Sequence, residues 1–138
     1  MGIDYGTKRV GVAVSDEGAS IAFPKVVLGN SPRLFDELLD IIKTESVDAI
    51  VVGKSMDTAG NRNAIMDDID VFVEELEKLS GKTIHMEDER FTSHFLKSFD
   101  FSKSIEKPIS RNRNKKPVQQ AIDAQAAASI LQRFLEKR

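Results

Sequence analysis

Three carboxylates stand where the local pattern calls for something else. Asp4 sits at the mouth of a strand-like start, directly before Tyr5-Gly6-Thr7-Lys8-Arg9. A neutral residue would cost less there, so Asp4 is either a turn cap on the N–H groups of Gly6 or Thr7 or a metal ligand. Asp123 shares a helical face with Ala127, Ile130 and Phe134, within an apolar stripe. A carboxylate on such a stripe is neutral, salt-bridged or coordinating a cation, unless it is a first-turn acid favoured by the helix dipole. Glu89 follows Thr83-Ile84-His85-Met86, and in open α/β sheets functional residues gather beyond the carboxyl ends of strands. Glu87 and Asp88 compete for its role. Brought together, such carboxylates would form an oxygen-only cage of the kind that Mg²⁺ or Mn²⁺ prefers. His85 and His94 show no zinc-type pairing; they read as a strand residue with a satisfied ring and a helix surface residue.

The elements that must position these groups follow from periodicity. Ile3-Asp4 begins a first strand, Tyr5 to Lys8 is a turn, and Arg9-Val10-Gly11-Val12-Ala13-Val14 alternates as the second arm of a hairpin. A third strand is expected around Val26-Val27-Leu28. Ser31 then caps, and Pro32 starts, a helix carrying Leu34, Leu38, Ile41 and Ile42 that ends near Glu45. The apolar run Ala49-Ile50-Val51-Val52-Gly53 is the pattern of a strand buried on both faces. A polar loop follows from Lys54 to Arg62. Ile65, Ile69, Phe72, Val73, Leu76 and Leu79 then mark a long amphipathic helix with an acidic outer face, stopping at Ser80-Gly81. After the strand Thr83 to Met86 come the acidic cluster at its carboxyl end, a short helix capped by Thr92 or Ser93, and a basic loop. A helix from about Val118 to Glu136 closes the chain. Three early strands in an antiparallel meander followed by βαβ units give a mixed α/β sheet with helices on its faces.

Composition narrows the function classes. With 138 residues and 41% hydrophobic side chains, the chain is expected to form one domain, residues 1–138, around one core. The absence of cysteine excludes disulfides, thiolate zinc sites and cysteine nucleophiles. No stretch approaches the ~20 apolar residues of a membrane span, and no charged-then-apolar leader opens the chain; the expected location is the cytoplasm. A net charge of -2 from 20 basic and 22 acidic residues gives no bulk support to nucleic-acid binding. The charges are segregated, however. Lys103, Lys107, Arg111, Arg113, Lys115 and Lys116 face only Glu106 in the basic loop, which is either a phosphate contact or a solvated segment.

Gly2-Ile3-Asp4-Tyr5-Gly6-Thr7-Lys8-Arg9 with Gly11-Val12-Ala13-Val14-Ser15-Asp16, then Asp88-Glu89-Arg90-Phe91-Thr92-Ser93, then Asp123 with Ala126-Ala127 and Ile130-Leu131-Gln132, form an ordered set. On these blocks the chain resembles, essentially end to end, the YqgF/RuvX family of Holliday-junction-resolvase-like proteins, the pre-16S rRNA nucleases. The resemblance implies an RNase H-like fold with a five-stranded mixed sheet whose first three strands are antiparallel. It also implies a two-metal phosphodiester hydrolysis site with Asp4, Glu89 and Asp123 as ligands of Mg²⁺ or Mn²⁺. Lys8, Arg9 and Arg90 then become phosphate contacts beside the basic loop residues Arg111, Arg113, Lys115 and Lys116. The implied partner is nucleic acid, precursor rRNA or branched DNA, with the ribosome as a further candidate, for a monomer or homodimer away from any membrane. Family members usually carry several apolar residues ahead of the first block, so the first strand reads as shortened or its start as wrongly chosen. The segment from Lys54 to Asn61 follows the family's Gly-rich loop only loosely. Ala126 and Ala127 stand where the junction resolvases proper carry a fourth carboxylate.

Two rivals remain at this level. Actin-like ATPases and sugar kinases also place an Asp-x-Gly-Thr turn on an RNase H-like core, but they clamp nucleotide between two such domains and this chain has length for one. A non-catalytic nucleic-acid or ribosome-associated module with the same fold is the other.

Overall fold

The computed structural model describes residues 1–54, 64–88 and 117–137, with side chains from Ile122 onward in the last stretch. Strands β1 (Gly2–Tyr5), β2 (Arg9–Ser15) and β3 (Ala22–Gly29) form an antiparallel meander. Helix α1 (Leu34–Thr44) leads to β4 (Ala49–Lys54), and α2 (Ile65–Ser80) leads to β5 (Thr83–Asp88). Both of these strands join the sheet in parallel, giving the order β3-β2-β1-β4-β5. Helix α3 (Pro117–Glu136) is the last element. The expected mixed sheet is what forms, and the two-residue alternation of its strands divides the core in two.

On one face Ile3, Val10, Val12, Ile50 and Val52 pack against Leu34, Leu38 and Ile42 of α1 and Met66, Ile69, Phe72 and Leu76 of α2. On the other, Ala13 and Val51 meet Ala127, Ala128, Ile130 and Leu131 of α3. Ile50, Val51 and Val52 are successive residues that are all buried, which explains why β4 carries an unbroken apolar run: it has a helix above and a helix below. Helix α2 stops at Gly81, whose φ of 67° is left-handed and whose N–H returns to the Glu77 carbonyl.

Three boundaries differ from the periodicity reading. Helix α1 begins at Leu34 rather than Pro32, because the Ser31 carbonyl accepts the Leu34 N–H at 3.0 Å and Ser31 Oγ accepts the Arg33 N–H at 3.3 Å. Pro32 thus occupies the second position of a turn, which its fixed φ suits. Strand β3 is longer than Val26 to Leu28. It lies at the sheet edge, where Pro24 removes no needed donor and exposed positions blur the apolar alternation. Strand β5 runs on to Asp88, so Glu87 and Asp88 belong to the sheet and not to a turn after it. The loop after Lys54, the short helix expected near Ser93 and the basic loop lie outside the described residues. Among the described residues no helix is long and apolar enough to cross a membrane.

Asp16 organises the β2–β3 turn by accepting the N–H groups of Ser20 at 2.7 Å and Ile21 at 3.1 Å. The bonds from Ile21 and Ser20 hold its carboxyl below the usual carboxylate range.

The α3 interface depends on glycine. A Cβ on Gly11 would lie 2.1 Å from the Asp123 carbonyl oxygen, and one on Gly2 would lie 2.7 Å from the Ala127 carbonyl oxygen. No side chain fits under the helix at these points. Gly11→Ala is therefore expected to lower stability by roughly 1–3 kcal/mol in urea denaturation, the usual cost of overpacking a rigid contact. Gly29→Ala, whose added methyl meets nothing within 4 Å, is expected to stay within about 0.5 kcal/mol of the parent.

Candidate functional site

Asp4 is the third residue of β1 and pairs directly with Gly11 of β2. Opposite residues of an antiparallel pair project from the same face. The face that Gly11 presents is the one on which the Asp123 backbone rests. Asp4 and the Asp123 stretch of α3 therefore lie on the same side of the sheet, across Gly11, although 118 residues lie between the two acids. Both are half-buried. Ile3 and Tyr5, the neighbours of Asp4, point the other way into the larger core.

Arg9 joins them by the same rule. It is two residues from Gly11 and so projects toward α3, where its Nε donates to Asp123 Oδ2 at 2.7 Å. The Asp123 side chain is 19% exposed and that of Arg9 37%, so this charge-assisted bond sits at the margin of solvent. Of the readings open for a carboxylate on the α3 stripe, the salt-bridged one is the state observed. Lys8 is exposed in the hairpin turn.

The hairpin carrying Asp4 and Arg9 is braced from both sides. Asn30 donates its Nδ2 to the Gly6 carbonyl at 2.8 Å and its backbone N–H to the Lys8 carbonyl at 2.9 Å. A Cβ on Gly6 would come within 2.5 Å of the Arg9 carbonyl oxygen, so the turn needs glycine at that position. Behind Asp4, the Tyr5 ring packs on Phe72 with centroids 4.6 Å apart, and Phe72 stacks in turn on Phe35 at 5.6 Å. The carboxyl end of β1 is thereby tied to α1 and α2.

Glu87, weighed in the sequence as a rival to Glu89, is 94% buried on the α3 face and accepts Lys137 Nζ at 2.5 Å, with Arg133 Nε at 3.9 Å. Arg133 Nη1 also donates to the Asp88 carbonyl at 3.3 Å. Two cations neutralise Glu87, and the group ties the end of α3 to β5. No local signal announces this role, because its cations lie 46 and 50 positions away. His85, in β5, packs its ring on Phe134 with centroids 4.7 Å apart, in keeping with a structural histidine.

Glu89, which directly follows β5 in the sequence, lies outside the described residues. So do Arg90, Arg111, Arg113, Lys115, Lys116 and His94. Among the described residues no three histidine, aspartate or glutamate side chains stand close enough to hold a metal ion. What is described is a two-carboxylate platform of Asp4 and Asp123, oxygen donors only, beside one guanidinium. Its chemistry suits a hard divalent cation completed by a further acid.

Glu87→Gln is expected to lower stability by about 1–2 kcal/mol, the loss of a buried charge-assisted bond discounted for the solvent exposure of Lys137. Hydrogen exchange should quicken in the last turn of α3 and stay unchanged around Asp123; uniform change along the helix would contradict a local tie.

Comparison with known proteins bears on the family and the fold. The family model described as "RuvX: Holliday junction resolvase" matches residues 1–137. The protein named "Putative pre-16S rRNA nuclease" from Nitratidesulfovibrio vulgaris strain Miyazaki F is 35% identical over 137 residues, covering 98% of this chain and 91% of its own length. Its namesake from Maridesulfovibrio salexigens is 34% identical, covering 99% and 97%. Among solved structures, Thermus thermophilus RuvC matches with a TM-score of 0.57, and RuvC of the same organism in complex with Holliday junction substrate with 0.61. Each is 18% identical and covers 99% of this chain and 93% of the RuvC chain. At that identity the likeness is one of fold, and the fold is RNase H-like. With the family model spanning nearly every residue, the chain belongs to the RuvX family of Holliday-junction-resolvase-like nucleases.

Proposed function

We propose that this protein is a metal-dependent endonuclease of the cytoplasm that hydrolyses phosphodiester bonds in precursor ribosomal RNA, with Asp4, Glu89 and Asp123 as its metal ligands and catalytic acids. The observation that carries the reading is the placement of Asp4 and Asp123 on one face across Gly11. Two acids distant in the sequence are brought to one side of the sheet at the carboxyl end of β1, an oxygen-only donor pair of the kind a hard divalent cation prefers. Glu89 is the third donor because it directly follows β5 and because Glu87 is already neutralised by Lys137 and Arg133. When bound, Mg²⁺ or Mn²⁺ ions supply water activation and stabilisation of the leaving oxygen.

The chain's own residues do the rest. Asp4 holds its place because β1 is paired on both sides, to β2 and β4, and Asp123 because α3 cannot slide over Gly11. Lys8, exposed in the turn beside Asp4, provides a donor for a flanking phosphate, as do Arg90 and the basic residues Arg111, Arg113, Lys115 and Lys116. RNA is preferred to branched DNA as substrate because the family relatives carry the rRNA nuclease name. A second reading, a nucleic-acid-binding module without efficient hydrolysis, is favoured by one feature: Ala127 is buried against Gly2 where a fourth carboxylate would need room.

Asp4→Asn is expected to lower the single-turnover rate on precursor rRNA by about two to three orders of magnitude, the several kcal/mol that a lost metal ligand removes from transition-state stabilisation. Its circular dichroism in EDTA should match the parent's, showing that the fold is intact. A four-way DNA junction assayed in parallel decides the substrate class. Cleavage by the Asn variant at the parent's rate contradicts the assignment, and tight binding without cleavage by the parent establishes the binding module.

A further inference from the structure

Arg9 was expected to contact phosphate, yet it is bonded to the carboxylate that the nuclease reading needs for metal. Resting on that reading, we infer that Arg9 is the built-in counter-ion of Asp123: a divalent cation binds by taking over this carboxylate, and the displaced guanidinium turns outward, where a phosphate can receive it.

Three observations carry the exchange. The Nε–Oδ2 distance of 2.7 Å is that of a charge-assisted bond, so Arg9 supplies positive charge at the oxygen a cation would use. The pairing is dictated by the sheet: Arg9, Gly11 and Asp4 project toward α3 from two adjacent strands, with Asp4 opposite Gly11. A guanidinium held there meets an incoming cation as a like charge, and the two compete for the same carboxylate. Finally, the Arg9 side chain is 37% exposed at the first residue of β2, beside the turn that carries Lys8. Its release needs only side-chain rotation and no change in the strand. Arg9 is thus a positioning residue, holding Asp123 in place before loading.

The test titrates Mn²⁺ into the parent and into Arg9→Gln by isothermal calorimetry, with Asp123→Asn as reference and melting in EDTA recorded for each. Removing the competing charge is expected to tighten Mn²⁺ binding by about three- to tenfold, the range set by a partly exposed ion pair, while lowering the melting temperature in EDTA. In the unmutated protein the ¹⁵N-detected Arg9 Nε–H resonance should move toward its solvent-exposed position as Mg²⁺ is added. Unchanged or weaker Mn²⁺ binding by Arg9→Gln, with saturable Asp123-dependent binding in the parent, overturns the exchange alone and makes Arg9 an aid to the metal. An Arg9 Nε–H resonance that stays fixed through Mg²⁺ saturation overturns it independently of any substitution. Absence of saturable binding in both proteins overturns the metal reading, and the exchange falls with it.

Discussion

Helix α3 lies so close to β1 and β2 that its backbone occupies the space where two side chains would be. At Gly11 a methyl group would fall 2.1 Å from the Asp123 carbonyl oxygen, and at Gly2 it would fall 2.7 Å from both the Ala127 carbonyl oxygen and the Leu131 Cβ. Such contact is possible only where both surfaces are small, and the helix supplies Ala124, Ala127 and Ala128, all buried. The closeness has a chemical consequence. It sets Asp123 over the strand residue paired with Asp4, on the same side of the sheet.

An interface of alanine and glycine buries little apolar surface per residue, so α3 needs other ties. It has one to each of three strands. The Asp123–Arg9 pair holds its beginning to β2, Gln132 accepts the Ala22 N–H at 2.9 Å and donates to the Ser20 carbonyl at 3.2 Å at the entrance to β3, and Lys137 with Arg133 holds its end to Glu87 of β5. These bonds are directional, as hydrophobic contact is not, and they fix rotation of the helix about its axis. The opposite face of the sheet works differently: Leu38, Ile69, Leu76 and their neighbours form a larger core with long side chains from two helices. Adhesion is concentrated on one face and registration on the other, and the candidate site lies on the registered face.

Charges within the described residues follow the same economy. Glu87 is almost wholly buried and has two cations; Asp123 is less buried and has Arg9. No buried side-chain polar atom among the described residues lacks a hydrogen-bond partner. Glu87 and Asp123 differ in how far they are enclosed. The Glu87 carboxylate itself is enclosed, at 6% exposure, and has two cations, whereas the Asp123 carboxylate is 19% exposed beside Arg9 at the solvent margin.

Much of this was legible in the residues alone. The unbroken run Ile50-Val51-Val52 determined an interior strand, the spacing of Leu34, Leu38 and Ile42 a one-sided helix, and Gly81 a helix end, because each depends on a backbone period or a single φ angle. The anomaly of an acid at position 4, and of another on the apolar stripe of α3, was equally visible. What only the tertiary structure decided was which groups face one another. The sequence could not tell that Asp123 rests on Gly11 opposite Asp4, that Arg9 holds Asp123 across 114 positions, or that Glu87 lies inside β5 under Lys137. Periodicity reports which face a side chain takes within its own element; the pairing of faces is set by register and by the approach of distant backbones, which no local pattern encodes.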